Sequence, residues 1–147
     1  MSNMKTQNFS FRLQSAQSAF AVFTLLQDPQ KWWTGLYNEE LSGTHAKPGD
    51  AFTFKAGNGA HYSRQELVES IPGKKITWKV TDSRLAFLEK QDEWNNTMLC
   101  FDIEEKDGGT IVLFTHKGLV PAIACYDQCT AAWTRYFENL QKILNSN

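Results

Sequence analysis

The side chains best suited to chemistry lie in the last third of the chain. They are a histidine ending a strand-like run, Thr115-His116-Lys117, and two cysteines one helical turn apart, Cys125 and Cys129. An imidazole titrates near neutral pH, so His116 could act as a base or orient a polar ligand. By strand parity it shares a face with Val112 and Phe114. The competing reading is a strand-end histidine hydrogen-bonded to backbone or water, the usual fate of a buried polar group. Cys-x3-Cys on a helix could offer two thiolates to zinc, with His116 as a third ligand. No fourth partner is apparent, and cysteine commonly packs as a small apolar residue, so no metal site is expected. Asp82, Glu89, Asp92, Glu93, Glu104 and Glu105 cluster at strand ends and turns, without the spacing of an acid/base couple. Gly-x-Ser-x-Gly, Walker and dinucleotide fingerprints are missing from the sequence. No catalytic residue is assigned on this basis, and no cofactor is expected.

Aromatic residues are the second resource. The 147 residues include five Trp and ten Phe, and aromatics make up 13% of the chain. Large rings either fill a core or line a pocket. On the C-terminal segment, Tyr126, Cys129, Trp133, Phe137 (or Tyr136), Leu140 and Leu144 recur at spacings of three and four, which is one face of a long helix. Pro121 suits its first turn.

The elements that must position these residues follow from alternation and turn signals. Residues 8–14 alternate as a half-buried strand. Ser15 then reads as an N-cap for a helix over Ala16 to Leu26. Asp28-Pro29 opens a second short helix holding Trp32 and Trp33. After the turn Lys47-Pro48-Gly49-Asp50, strands are expected over Ala51–Lys55, His61–Ile71, Lys75–Thr81, Thr97–Glu104 and Thr110–His116. Gly57-Asn58-Gly59, Pro72-Gly73 and Asp107-Gly108-Gly109 mark turns between them. Residues 83–96 carry no clear period and read as loop or a short irregular piece. Strands joined this closely form an antiparallel meander, so the expected class is α+β, in one domain spanning residues 1–147.

Composition excludes several partners. The net charge is −1 and the pI about 6.3, with no basic stripe of the kind nucleic-acid binding requires. Lys74-Lys75 sits at a turn and reads as solvated. Three cysteines make no disulfide framework and suit a reducing compartment. Met1-Ser2-Asn3-Met4-Lys5 lacks the apolar run of a signal peptide, and no apolar stretch is long enough to span a bilayer. The expectation is a soluble, cytoplasmic protein with no membrane insertion.

Taken in order, these pieces resemble the START-like (SRPBCC) superfamily. Within it they look most like the single-domain proteins named for the C-terminal domain of the heat-shock ATPase activator, the Aha-type co-chaperone. The matching residues are Asp28-Pro29 with Trp32 and Trp33; Pro48-Gly49-Asp50; Glu66-Leu67-Val68-Glu69 leading to Pro72; and Ile76-Thr77-Trp78. They continue with Gly108-Gly109-Thr110, Thr115-His116-Lys117-Gly118-Leu119, and Trp133 with Leu140. The chain departs from the pattern at Gly73, where a second Pro is common, and at Gln65, where a Gly is often seen. Motifs of the superfamily's enzyme branches are not visible.

The resemblance implies a helix-grip fold, a curved sheet wrapped around the long C-terminal helix, with a hollow between them. The expected function is binding of a small apolar or amphipathic ligand there. Trp33, Phe54, Trp78, Phe101 and Phe114 are the expected liners from the sheet side, with Trp133 and Phe137 from the helix. His116 and Tyr62 are the expected polar orienting groups. Two other readings stay open: a co-chaperone-like protein that contacts a chaperone ATPase through its surface, and a cyclase- or hydrolase-like enzyme.

Overall fold

The alternating segments become seven strands: β1 (Phe9–Ser15), β2 (Glu40–Gly43), β3 (Ala51–Ala56), β4 (His61–Ile71), β5 (Lys75–Leu85), β6 (Met98–Lys106) and β7 (Gly109–Lys117). Two helices accompany them, α1 (Ala19–Gln27) and α2 (Tyr126–Asn145), with a single 3-10 turn at Pro29–Lys31. The structure is a computed structural model and describes residues 7–145, so the N-terminal reading over residues 1–5 lies outside it. The strands form one antiparallel sheet in the order β1-β7-β6-β5-β4-β3-β2. The meander β2 to β7 is closed on one side by β1, where Phe11 pairs with Phe114 and Leu13 with Val112.

Curvature comes from two irregularities in the β4–β5 pairing, at Arg64/Gln65 and Leu67/Glu69. A bulge puts an extra residue on one strand, which bends it and raises its twist. The bulge at Thr81 also reverses the inward parity of β5. Ile76, Trp78 and Val80 are buried before it, Ser83 and Leu85 after it. That reversal explains why β5 runs on to Leu85 although its period fades at Thr81. Residues 86–97 then return through turns, held by hydrogen bonds from Leu85 N–H to the Gln91 carbonyl and from Val80 N–H to the Thr97 carbonyl.

The helix boundaries differ from expectation for local reasons. Ser15 ends β1, and its hydroxyl donates to the Leu144 carbonyl at 3.3 Å. Ser18 is the cap of α1, accepting from Ala21 N–H at 3.1 Å. Asp28 accepts from Gln30 N–H at 3.1 Å, but only one 3-10 turn follows before Trp32 and Trp33 turn into the core. Helix α2 starts at Tyr126 and not at Pro121. The N–H groups of Ala124 and Cys125, just before its first residue, are met by the Glu93 carboxylate at 3.1 and 3.0 Å, which suits the positive end of a helix. The short edge strand β2 was not foreseen.

The amphipathic face of α2 is buried against the concave face of the sheet through Cys129, Trp133, Tyr136, Phe137, Leu140 and Leu144. Strand parity is as expected on β7: Val112, Phe114 and His116 point at α2, while Leu113 is 43% exposed on the other face. Gly118 has φ +106°, and a Cβ there would fall 2.6 Å from Thr97 Cγ2. The Gly of Thr-His-x-Gly-Leu therefore lets the chain pass close over Thr97.

Candidate functional site

Four indole rings organise one end of the sheet–helix interface. Trp33 stacks on Phe54 of β3 at 4.0 Å and on Trp133 of α2 at 5.0 Å. Trp94, from the irregular 86–97 segment, stacks on the other end of Trp133 at 5.8 Å. Trp94 also meets the rings of His61 and His116 edge-on, at 4.6 and 4.7 Å. Trp32 lies deeper, stacked on Trp33 and Phe137, its N–H donating to the Leu26 carbonyl at 3.0 Å. Rings held on several elements keep the walls apart because they have few rotamers to yield.

Between these walls lies a cavity of about 380 Å3, partly open to solvent. It is bounded by the first turns of α2 (Gln128, Cys129, Ala132, Trp133, Tyr136) and the β3–β4 hairpin (Phe54, Ala56, Gly57, Ala60, His61). Trp33, Tyr37, Phe87 and Trp94 complete it. Phe87 is 45% exposed at the rim. The lining includes no Asp, Glu, Lys or Arg.

The lip of the cavity is pinned by Glu39. Its carboxylate accepts from the backbone N–H groups of Gly35, Leu36 and Tyr37 at 2.8–3.2 Å, and from the Tyr136 hydroxyl. Burial pushes the Glu39 carboxyl up, but the Tyr136 hydroxyl and the loop N–H groups outweigh it and leave its pKa lowered. Burial, reinforced by Glu39, raises Tyr136. Arg135 donates to the Tyr37 hydroxyl at 2.9 Å.

His116 is fully buried and both of its nitrogens are engaged. The Trp133 indole N–H donates to Nδ1 at 3.0 Å, so Nε2 carries the proton and faces Thr97 Oγ1 at 2.9 Å. The Thr97 hydroxyl donates onward to the Trp94 carbonyl at 2.6 Å. Burial, with a smaller contribution from His61, pushes the His116 pKa down to about 3. The histidine is thus a neutral link between strand and helix, with no lone pair or proton left for a substrate. His61 is also neutral, pushed down to about 4 by burial, but its Nε2 has no partner.

Cys125 and Cys129 are both buried and are neighbours at the start of α2. A hydrogen bond from Cys129, aided by the Trp94 N–H, lowers the Cys125 pKa against the opposing effect of burial. The same bond, with burial, raises Cys129. Among the described residues, no group of three His, Cys, Asp or Glu is placed to hold a metal ion.

The nine sequence-derived site residues divide by position. Trp33, Phe54 and Trp133 line the cavity. Trp78, Phe101, Phe114 and Phe137 are buried behind it; the Phe114 ring lies 4.5 Å from Phe137 and 5.0 Å from Phe101. His116 lies behind Trp133 and Trp94. Tyr62 sits on the outer face of β4, beneath the Arg84 guanidinium at 4.9 Å, and is not brought to the others. The expected liners leave out His61, Trp94, Tyr37 and Tyr136, although Tyr136 belongs to the aromatic stripe of the last helix. Both Tyr136 and Phe137 face inward. His61 shares the inward row of β4 with Ser63, Gln65 and Leu67, a signal that period-two counting carries. Trp94 left only its size as a signal.

A curved antiparallel sheet closed over one long C-terminal helix, with a cavity at one end, defines the START-like helix-grip class. The chain belongs to the family described as Activator of Hsp90 ATPase homolog 1-like protein, whose model matches residues 14–145. Solved structures share the fold at low identity. The Aha1 dimer from Colwellia psychrerythraea superimposes with a TM-score of 0.73 and 20% identity, covering 95% of this chain and 97% of that one. A Chromobacterium violaceum protein gives 0.71 and 17%, covering 94% and 98%. Ginseng major latex-like protein 151 from Panax ginseng gives 0.65 and 12%, covering 95% and 98%. No curated protein sequence matches the chain significantly. Among the described residues, no helix is long and apolar enough to cross a membrane.

Proposed function

We propose that this protein is a cytoplasmic, single-domain binding protein that encloses one small apolar or amphipathic molecule between the β3–β4 hairpin and the first turns of α2. The observation that carries this reading is the aromatic cavity of about 380 Å3. Its size falls in the range of roughly 300–1,000 Å3 common to small-molecule sites. Affinity would come from apolar area removed from water, about 25 cal/mol per Å2 before the costs of association. Trp33, Phe54 and Trp133 are the residues proposed to touch ligand. The deeper rings Trp78, Phe101, Phe114 and Phe137 support the wall.

Native mass spectrometry of freshly purified protein tests the proposal. A retained small molecule, lost from a variant whose cavity is filled by Ala132→Trp, supports it. A protein that carries nothing and whose tryptophan emission ignores apolar probes argues against it.

The family description favours a second reading, in which the surface engages a heat-shock ATPase. Its test is co-purification with that ATPase and a change in turnover on adding this protein. The enzyme reading has lost both polar groups named for it, since His116 is engaged on both sides and Tyr62 faces outward.

A further inference from the structure

Cys125 and Cys129 are both buried, and enclosing an apolar molecule makes no use of their chemistry. Their backbones are in helical register. The Cys125 carbonyl accepts the Cys129 N–H at 2.8 Å, so the two side chains lie on one face, one turn apart. Their thiols hydrogen-bond to each other. A third group is aimed at the pair. The Trp94 indole N–H is directed at both thiols, yet it makes no hydrogen bond of good geometry and has no other partner. Trp94 is 2% exposed, so this is a buried donor facing only weak acceptors. Buried donors in native folds are almost always paired, so an unpaired one beside two thiols points to a group that would make those sulfurs better acceptors.

We propose that Cys125 and Cys129 form a two-coordinate site for a soft monovalent cation, Cu(I), with the Trp94 indole N–H donating to the metal-bound sulfurs. Spacing decides between the two things a buried thiol pair can do. Side chains one helical turn apart have Cβ atoms about 5–6 Å apart. A disulfide needs about 3.5–4.5 Å, so forming one would break the first turn of α2. A metal–thiolate bond is about 2.3 Å long in zinc sites, so a sulfur–metal–sulfur bridge spans about 4.6 Å and fits the turn as it stands. Ligand number then decides the metal. Zinc takes four ligands, and among the described residues no third His, Cys, Asp or Glu joins the pair. The neighbouring Glu93 carboxylate is a hard ligand, already accepting from the Ala124 and Cys125 N–H groups. Thiolate softness selects Cu(I), which is stable with two sulfurs in line. Each ion bound displaces both thiol protons, no electron moves, and the complex carries one negative charge. That charge sits at the N-terminal, positive end of α2. Thiolates accept more strongly than thiols, so the Trp94 N–H gains its partner. Cys129 lines the cavity, which opens to solvent and gives the ion a way in. The site stands whatever molecule the cavity encloses.

The test is an anaerobic titration of the reduced full chain with Cu(I), in competition with the chelator bathocuproine disulfonate, followed by X-ray absorption at the copper edge. The expected result is one Cu(I) per chain held against the chelator, with two sulfur neighbours and no nitrogen, and quenched tryptophan emission at one equivalent. Zn(II) should wash out on desalting. Cys125→Ala and Cys129→Ala should each abolish retention of copper. Trp94→Phe should keep the stoichiometry and lower the affinity about tenfold, the usual effect of losing a partner behind a metal ligand. Cys100→Ala should change neither, since strand parity puts Cys100 on the face of β6 opposite Leu99 and Phe101. A chain that holds no Cu(I) against the chelator overturns the proposal and leaves the cysteines as packing residues. Retention that survives in a folded Cys129→Ala variant, or that is lost in a folded Cys100→Ala variant, overturns it by placing the copper elsewhere. Nitrogen or a third sulfur around the copper, or retained zinc, overturns the two-coordinate assignment, and neither readout needs a variant to fold. Unchanged affinity in a folded Trp94→Phe variant overturns the part given to Trp94.

Discussion

The Trp133 indole N–H donates to His116 Nδ1 at 3.0 Å, joining the middle of α2 to the end of β7. This one bond sets the imidazole tautomer and thereby the direction of the bonds that follow, from Nε2 to Thr97 and from Thr97 to the Trp94 carbonyl. The family-like Thr-His-x-Gly-Leu segment and the helix Trp are therefore two halves of one structural lock. Trp133 is 2% exposed, so Trp133→Ala should cost about 3–5 kcal/mol. Trp133→Phe keeps most of the ring area but leaves Nδ1 buried and unpaired, which should cost about 1–3 kcal/mol. Urea melts of both variants check this; a loss under about 1 kcal/mol for the alanine would contradict the lock.

Stability should fall with acidification in a defined window. The folded pKa values of His116 and His61 are about 3 and about 4, both below the ordinary 6.5. Between those values the unfolded chain holds a proton that the native chain refuses. Stability is therefore full above pH 6.5 and is lost as pH falls toward 4, by up to about 1.4 kcal/mol per pH unit for each histidine. Urea midpoints measured from pH 7.5 to 4.5 should decline, and His116→Gln should flatten part of the slope. A profile independent of pH across that range would mean that both rings titrate normally.

The Glu39 clamp should control the cavity lip. Glu39→Gln keeps one acceptor oxygen but loses the charge that strengthens four hydrogen bonds. The expected cost is about 1–2 kcal/mol. Amide exchange at Gly35, Leu36 and Tyr37 should speed up before any global change. Because the Glu39 pKa is lowered from 4.5, its contribution is present above that pH and fades as pH falls through the folded value. Unchanged exchange in the variant would show that the lip is held by packing alone.

Phe114 distinguishes wall from cavity. It is fully buried, with Phe9, Phe101, Trp133 and Phe137 around it, and does not line the cavity. Phe114→Trp should overpack the core and cost about 1–3 kcal/mol. Ala132→Trp fills open space instead and should leave stability nearly unchanged while abolishing ligand binding. If thermal melts rank the two the other way, the hollow lies deeper than the structure places it.

Residues with a strong local period could be read without coordinates. Phe52, Phe54, Phe101 and Phe114 alternate on strands, and Cys129, Trp133, Leu140 and Leu144 recur on a helix, because a side chain's face follows from backbone geometry alone. Turn glycines and Asp28-Pro29 punctuate those periods for equally local reasons. Sheet class, strand parity and the burial of α2 followed. What tertiary structure alone decided was which inward residues line space and which fill it. Phe54 and Phe101 look alike in sequence, yet one faces the cavity and the other packs behind Trp32. The bulge at Thr81 broke the period that would have led into residues 83–96, and so hid Trp94. The partners of Trp94, His61 on β4 and Trp133 on α2, meet it only through long-range packing, which no short-range pattern encodes. His116 shows the same limit from the other side: its residue type suggested chemistry, but two hydrogen bonds from distant segments made it structural.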